Sequence, residues 1–267
     1  MERIAFADFE AVRLASGKSL VHNISIVTAD FAHYKQWCSL GRGQSPILAK
    51  STIFSHGPRL DITIGNSLKN PAIELSENIQ NKLRRTAEKA EELSFLTIRV
   101  DTLRDALRHM LKFIHEHSDG ILMSHSLDCD LEFLFQTAEV LGEKRIFMKD
   151  FLFRPETRCY LTGWDKLTLV CTQRLLTTLC PKFDKEVSKT QASTRLESYA
   201  KFVYGDKYVQ SHTSVEDAFD LYQVVRKAFE YDHFKIDRGK TRLFMKPTSL
   251  YGRGQTFSSF HPFPKQN

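Results

Sequence analysis

Two carboxylates two residues apart in an apolar, β-prone stretch pose a chemical problem. Asp8 and Glu10 interrupt residues 4–12. Residues two apart on a strand project from the same face. Side by side on a segment that otherwise favours burial, they repel unless a cation joins them. Carboxylate oxygens are hard ligands suited to Mg²⁺ or Mn²⁺. A half-exposed strand with polar alternation would carry the same pair, so the pair alone decides nothing.

Two further segments put acids in positions that need explaining. Residues 124–134 read SHSLDCDLEFL, with Asp128 and Asp130 at a strand-to-helix junction. Either acid could simply favour a helix N-terminus, where negative charge is stabilised. Residues 211–218 read SHTSVEDA, with His212 five residues before Asp217. Thr213 and Glu216 have capping-box spacing. That spacing leaves His212 unexplained. Histidine is the natural proton acceptor near neutral pH; a surface histidine beside an ordinary capped helix is the plain alternative.

The elements that must position these groups follow from periodicity. Residues 4–12 and 20–28 read as strands paired as a hairpin, and residues 61–65 as a third. Residues 77–93 form a charged helix whose Lys82, Arg84, Arg85 and Lys89 make a solvated face. Residues 101–117 are a better helix, with Leu103, Leu107, Met110, Leu111 and Ile114 at helical spacing. A buried strand at 120–124 leads into a helix over 127–141, closed by Gly142. An apolar run at 167–172 leads into a helix ending at Pro181. Residues 195–203 and 215–229 are further helices. Residues 31–58, rich in Gly and Pro, read as a long loop, and such loops often carry function. This order of strands and helices suits an α/β fold with a mixed central sheet flanked by helices. Residues 1–235 would form the domain, and residues 236–267 an extended or partly ordered basic tail.

Composition sets the class. The chain has 267 residues, 42% hydrophobic and 26% charged, which argues against wholesale disorder. Its net charge of +6 fits a polyanionic partner, though only beside an acidic site does that become informative. Twenty phenylalanines imply a Phe-rich core, with base stacking as the lesser reading. Five irregularly spaced cysteines without a C-x-x-C pair argue against structural zinc and for a reducing compartment. Acidic residues at Glu2 and Asp8 and the lack of a long apolar run lead to the expectation of neither a signal peptide nor a membrane span. The expectation is an intracellular protein, cytoplasmic or nuclear.

Taken together, the three acidic segments resemble motifs I, II and III of the DEDDh exonuclease family, within the ribonuclease-H-like group. Motif I, a strand with Asp-x-Glu, is matched by Asp8 and Glu10. Motif II is matched by His125, Asp130 and Leu134, with Ser126 where the family commonly has Asn and Asp128 as the rival acid. Motif III, a histidine five residues before an aspartate and then a small residue, is matched by His212, Asp217 and Ala218. The resemblance covers about residues 3 to 230.

The resemblance implies a ribonuclease-H-like fold and a 3′-to-5′ exonuclease using two Mg²⁺ or Mn²⁺ ions. Asp8 would bridge both ions. Glu10 and Asp217 would complete one shell, and Asp130 would hold the second ion through water. His212 would accept the proton of the attacking water. The product would be a nucleoside 5′-monophosphate, released from nucleic acid with a free 3′ end, single-stranded ends preferred. His125 is read as structural or surface, with a substrate-backbone contact as the alternative. The helix from Lys82 to Lys89 and the basic tail are candidate phosphate contacts. The competing reading is a catalytically silent exonuclease fold that binds nucleic acid or protein.

Overall fold

The computed structural model describes residues 3–30, 55–71, 77–144, 168–191 and 193–231. The proposed tail at 236–267 and most of the loop at 31–58 lie outside the described residues.

Two long strands open the chain. β1 (Arg3–Arg13) and β2 (Ser19–Asp30) pair antiparallel, as the hairpin reading expects. β2 then pairs antiparallel with β3 (Ser55–Ile64), which begins six residues earlier than the sequence pattern suggests. A short helix α1 (Gly65–Leu68) and the charged helix α2 (Glu77–Glu92) follow. Next comes β4 (Leu96–Val100), parallel to β3. The periodicity reading placed no element there. β4 is a five-residue edge strand, mostly exposed, and its alternation is too short to register.

Helix α3 (Leu103–His117) is capped by Thr102, whose hydroxyl oxygen accepts from the Asp105 amide. β5 (Ile121–Ser124) inserts parallel to β1, and α4 (Leu127–Val140) follows it. Gly142 ends α4 at a φ of 71°, the left-handed conformation that favours glycine. β6 (Thr168–Cys171) runs parallel to β5 and passes directly into α5 (Thr172–Leu179).

Pro181 both ends one helix and begins another. α6 (Pro181–Thr190) starts with that proline in its first turn, where the missing N–H is no loss. The sequence reading expected only a stop there. α7 (Leu196–Tyr204) and α8 (Ser214–Tyr231) complete the described chain.

The result is a six-stranded mixed sheet in the order β4-β3-β2-β1-β5-β6 with helices on both faces. Being central, β1 and β2 are buried on both sides, so their sequences read as nearly continuous apolar runs. Ala5, Ala7, Phe9, Ile24 and Ile26 face α3 and α4. Ile4, Phe6, Val27 and Ala29 face the other layer, dominated by α8. Phe6 is fully buried there and meets Tyr222 of α8 edge-on, with ring centroids 5.7 Å apart.

A bulge between Glu10 and Ala11 leaves His22 without a register partner on β1. It shifts the side-chain alternation of β2, so that Val21 joins the α3–α4 face although odd-numbered Val27 and Ala29 lie on the α8 face. Among the described residues no helix is long and apolar enough to cross a membrane.

Replacing Phe6 with Ala leaves a cavity where sheet and α8 meet. It should cost about 3–5 kcal/mol, read as a lower urea midpoint at unchanged slope.

Candidate active site

The α8-facing side of the sheet changes character along the strands. On β1, Ile4 and Phe6 give way to Asp8 and Glu10. On β2, Ala29 and Val27 give way to Ser25 and Asn23. The register sets Asp8 opposite Ser25 and Glu10 opposite Asn23, and on β3 Asp61 lies opposite Ser25. Three central strands thus contribute polar side chains to one end of a face that is otherwise apolar.

Helix α8 brings its first turn to that end. Thr213 caps it: its hydroxyl oxygen accepts from the Glu216 amide at 3.4 Å, and its O–H donates to the Glu216 carboxylate at 3.0 Å. Half of the capping box expected at Thr213 and Glu216 is seen: the threonine caps α8, while the Glu216 carboxylate accepts from the threonine hydroxyl rather than from its backbone amide. Glu216 also pairs with Arg85 at 3.5 Å and Lys89 at 3.9 Å, tying α8 to α2. One residue further along, Asp217 is only 4% exposed. Gln210 Nε2 donates to its Oδ2 at 2.8 Å, while its Oδ1 is buried with no partner.

Asp8, Glu10 and Asp217 each offer a carboxylate oxygen, and these oxygens lie within 4.8 Å of one another. The three sequence-distant acids converge. Burial pushes the Asp8 carboxyl well above its ordinary pKa, and the charges of Asp217, Asp130 and Glu10 push it further in the same direction. Burial likewise raises Glu10. Asp217 is pushed up to about 8, first by burial and then by its acidic neighbours, against the pull of the Gln210 hydrogen bond.

Asp130 lies outside the compact trio but is near enough for its charge to act on Asp8. It is buried, and Ser124 Oγ at the end of β5 donates to its Oδ2. The side chain of its rival, Asp128, is outside the described residues. His212 is exposed on the segment before α8, with a φ of 54°. His125 takes a structural position. Its Nε2 donates to the Thr194 carbonyl at 3.0 Å, its ring meets Tyr199 edge-on, and burial lowers its pKa to about 4.

Sequence reasoning did not assign two groups of residues at this site. Lys82 of α2, read as a solvated charge or a phosphate contact, donates to Glu10 Oε2 at 2.5 Å. Behind the trio, Ser25 donates to Asp61 Oδ1 at 2.6 Å and Asn23 Nδ2 donates to Asp61 Oδ2 at 3.3 Å. Ser214 of α8 joins them, 2.8 Å from Ser25 Oγ and donating to Asn23 Oδ1. Asp61 is 4% exposed, and burial raises its pKa against both hydrogen bonds. The only sequence signal was a polar residue on the strand DITIG.

The donor set fits a divalent cation. The ligands are hard oxygens, one buried carboxylate oxygen lacks a partner, and an ammonium group already sits against another.

No protein-family model matches the chain, and no curated protein matches it by sequence. Among solved structures, two 3′-exonuclease structures are similar in fold. One is described as 3′-end specific recognition of a histone mRNA stem-loop by a 3′-exonuclease, the other as a full-length 3′-exonuclease. Each has a TM-score of 0.49 and 9% identity, over 86% of this chain and 82% of the other.

The raised Asp217 carboxyl has a consequence for stability. A folded pKa of about 8, against about 3.9 when unfolded, gives stability that is complete below the lower value and lost as pH rises through the higher. His22 and His125, both lowered to about 4 by burial, oppose this trend only up to about pH 6.5. Metal-free protein should therefore lose thermal stability between about pH 7 and 8.5. Asp217→Asn, which keeps an acceptor for Gln210, should flatten that slope and melt higher than the parent at pH 8, measured by scanning calorimetry in EDTA.

Proposed function

We propose that the chain is a metal-dependent 3′-to-5′ exonuclease that hydrolyses nucleic-acid phosphodiesters from a free 3′ end. The observation that carries this reading is the convergence of Asp8, Glu10 and Asp217 within 4.8 Å, with Asp217 buried and Asp8 partly buried, and with the charge of Asp130 acting on Asp8. Four carboxylates crowded without cations are costly. Phosphoryl transfer is the chemistry in which such a cluster is useful, because the substrate is an anion that carboxylates alone would repel.

Asp8, Glu10 and Asp217 would hold the cations, with Asp130 contributing from the β5–α4 junction. When bound, Mg²⁺ or Mn²⁺ supplies charge neutralisation of the phosphate and acidifies the attacking water.

The remaining work falls to the chain itself. His212, exposed on the segment that leads into α8, would accept the proton of that water. The water oxygen bonds to phosphorus and the bond to the preceding 3′ oxygen breaks. That oxygen takes a proton from solvent and leaves as a 3′ hydroxyl, and a nucleoside 5′-monophosphate is released. Gln210 holds the Asp217 carboxylate through one oxygen and leaves the other for the cluster. The Asn23–Ser25–Asp61–Ser214 network holds the start of α8 against the sheet, fixing where His212 and Asp217 arrive.

A 5′-labelled single-stranded oligonucleotide should shorten stepwise from its 3′ end with Mg²⁺ or Mn²⁺ and remain intact in EDTA. Asp8→Ala should abolish the ladder. His212→Ala should lower kcat about 10²- to 10⁴-fold with little change in metal affinity. A ladder that survives Asp8→Ala overturns the site, and an oligonucleotide bound but never shortened favours a silent binding protein.

A further inference from the structure

Lys82 stands where a cation belongs. Its ammonium lies 2.5 Å from Glu10 Oε2, and its charge acts on Asp8 and Asp217 as well as Glu10. It reaches the cluster from α2, a helix outside all three acidic segments. We propose that Lys82 is a built-in counter-cation that competes with divalent metal for the carboxylate cluster, so that loading the site requires its ammonium to withdraw from Glu10. The inference rests on the metal-dependent reading of the site given above.

Three features make the exchange feasible. First, the two cations cannot share Glu10 without repulsion. A divalent ion and an ammonium on one carboxylate would sit only a few ångströms apart, at a real cost even in a high effective dielectric. Second, Lys82 can leave. Its side chain is 32% exposed, whereas that of Glu10 is 11% exposed, so the flexible stem has a path to water that the carboxylate lacks. Third, α2 does not depend on this contact for its seat. Arg85 and Lys89 pair with Glu216, and Ala90 is fully buried in the core beneath α8. The helix can stay docked while one lysine swings.

The Asp217 carboxylate supports the same picture from the opposite side. Lys82 takes an oxygen of Glu10, while Asp217 Oδ1 is buried with no partner at all. One ammonium reaches only one of the three carboxylates. A divalent ion can gather oxygens of all three, which a single ammonium on Glu10 does not.

The test is Mn²⁺ binding, measured by titration calorimetry and by the metal-induced rise in Tm, on the full chain and on K82M, K82R and D217N. K82M should bind Mn²⁺ about tenfold or more tightly than the parent, as expected for removing one positive charge near a divalent ion, and its metal-induced Tm rise should grow. K82R, which keeps the charge, should stay near the parent. D217N should lose the binding. If D217N loses Mn²⁺ but K82M binds no more tightly than the parent, or K82R tightens as much as K82M, the site stands and the competition is overturned. If neither parent nor K82M binds Mn²⁺, or binding survives D217N, the metal reading falls and the competition with it.

Discussion

Mutual repulsion among buried carboxylates is the constraint around which this protein is arranged. Asp8, Glu10 and Asp217 bring oxygens within 4.8 Å in surroundings that penalise each negative charge. Left alone, such groups would separate or take up protons. They stay together because the elements carrying them are held by forces unrelated to the acids. β1 is hydrogen-bonded on both sides within the sheet, and α8 is pinned by an apolar face running from Val215 to Phe229. Packing supplies the rigidity, and the carboxylates concentrate the resulting electrostatic tension at one place.

One face of the sheet serves both purposes. Ile4 and Phe6 on β1, with Val27 and Ala29 on β2, grip the body of α8. One further step of the alternation along each strand, the same face carries Asp8 and Ser25, then Glu10 and Asn23. Stability and chemistry are separated by about one strand period, roughly 7 Å. The join is the hydrogen-bonded group of Asn23, Ser25, Asp61 and Ser214, which ties three elements together where the apolar contact ends. A buried polar group is costly unless satisfied. Ser25, Asn23 and Asp61 bond one another within the sheet, and Ser214 joins them when the first turn of α8 is seated, so the network favours one position of that turn over its neighbours.

How much of this was legible in the sequence depends on distance along the chain. Asp8 with Glu10, and His212 with Asp217, are local patterns visible in the spacing, though neither pair decides anything alone and only the resemblance joined them into one site. β1, β2, α3 and α8 were legible, because their periodicities are long enough to count. β4 was not, because five residues on an exposed edge carry almost no burial signal. α6 was not, because Pro181 reads equally as the end of one helix and the first turn of the next. Lys82 was visible only as one charge among several on α2; that it alone turns inward to Glu10 depends on how α2 packs across the sheet, 72 positions away in sequence. Asp61 stayed hidden because it needs Ser25 and Ser214, from two other elements, to look like anything but a polar residue on a strand. The bulge at His22 adds a further obstacle: it changes which β2 side chains share a face, and nothing in the local pattern announces it.

Two non-glycine residues ahead of the acid-bearing helices, Ser126 and His212, have positive φ, at 62° and 54°. Each sits just ahead of a helix that delivers an acid, α4 with Asp130 and α8 with Asp217. The left-handed conformation costs an ordinary residue about 1 kcal/mol or more, and it persists only where the surroundings over-determine it. On the Ser126 side the determinants are the anchored β5–α4 junction, with Ser124 holding Asp130 and Thr172 Oγ1 donating to the Ser124 carbonyl. On the His212 side they are the Thr213 cap and the Ser214 network. In both cases the left-handed residue redirects the chain immediately before a helix that carries an acid. A relaxed backbone at either point would start the helix in a different direction and carry its acid away from β1. The strain is therefore the local cost of bringing acids from separate helices to one strand.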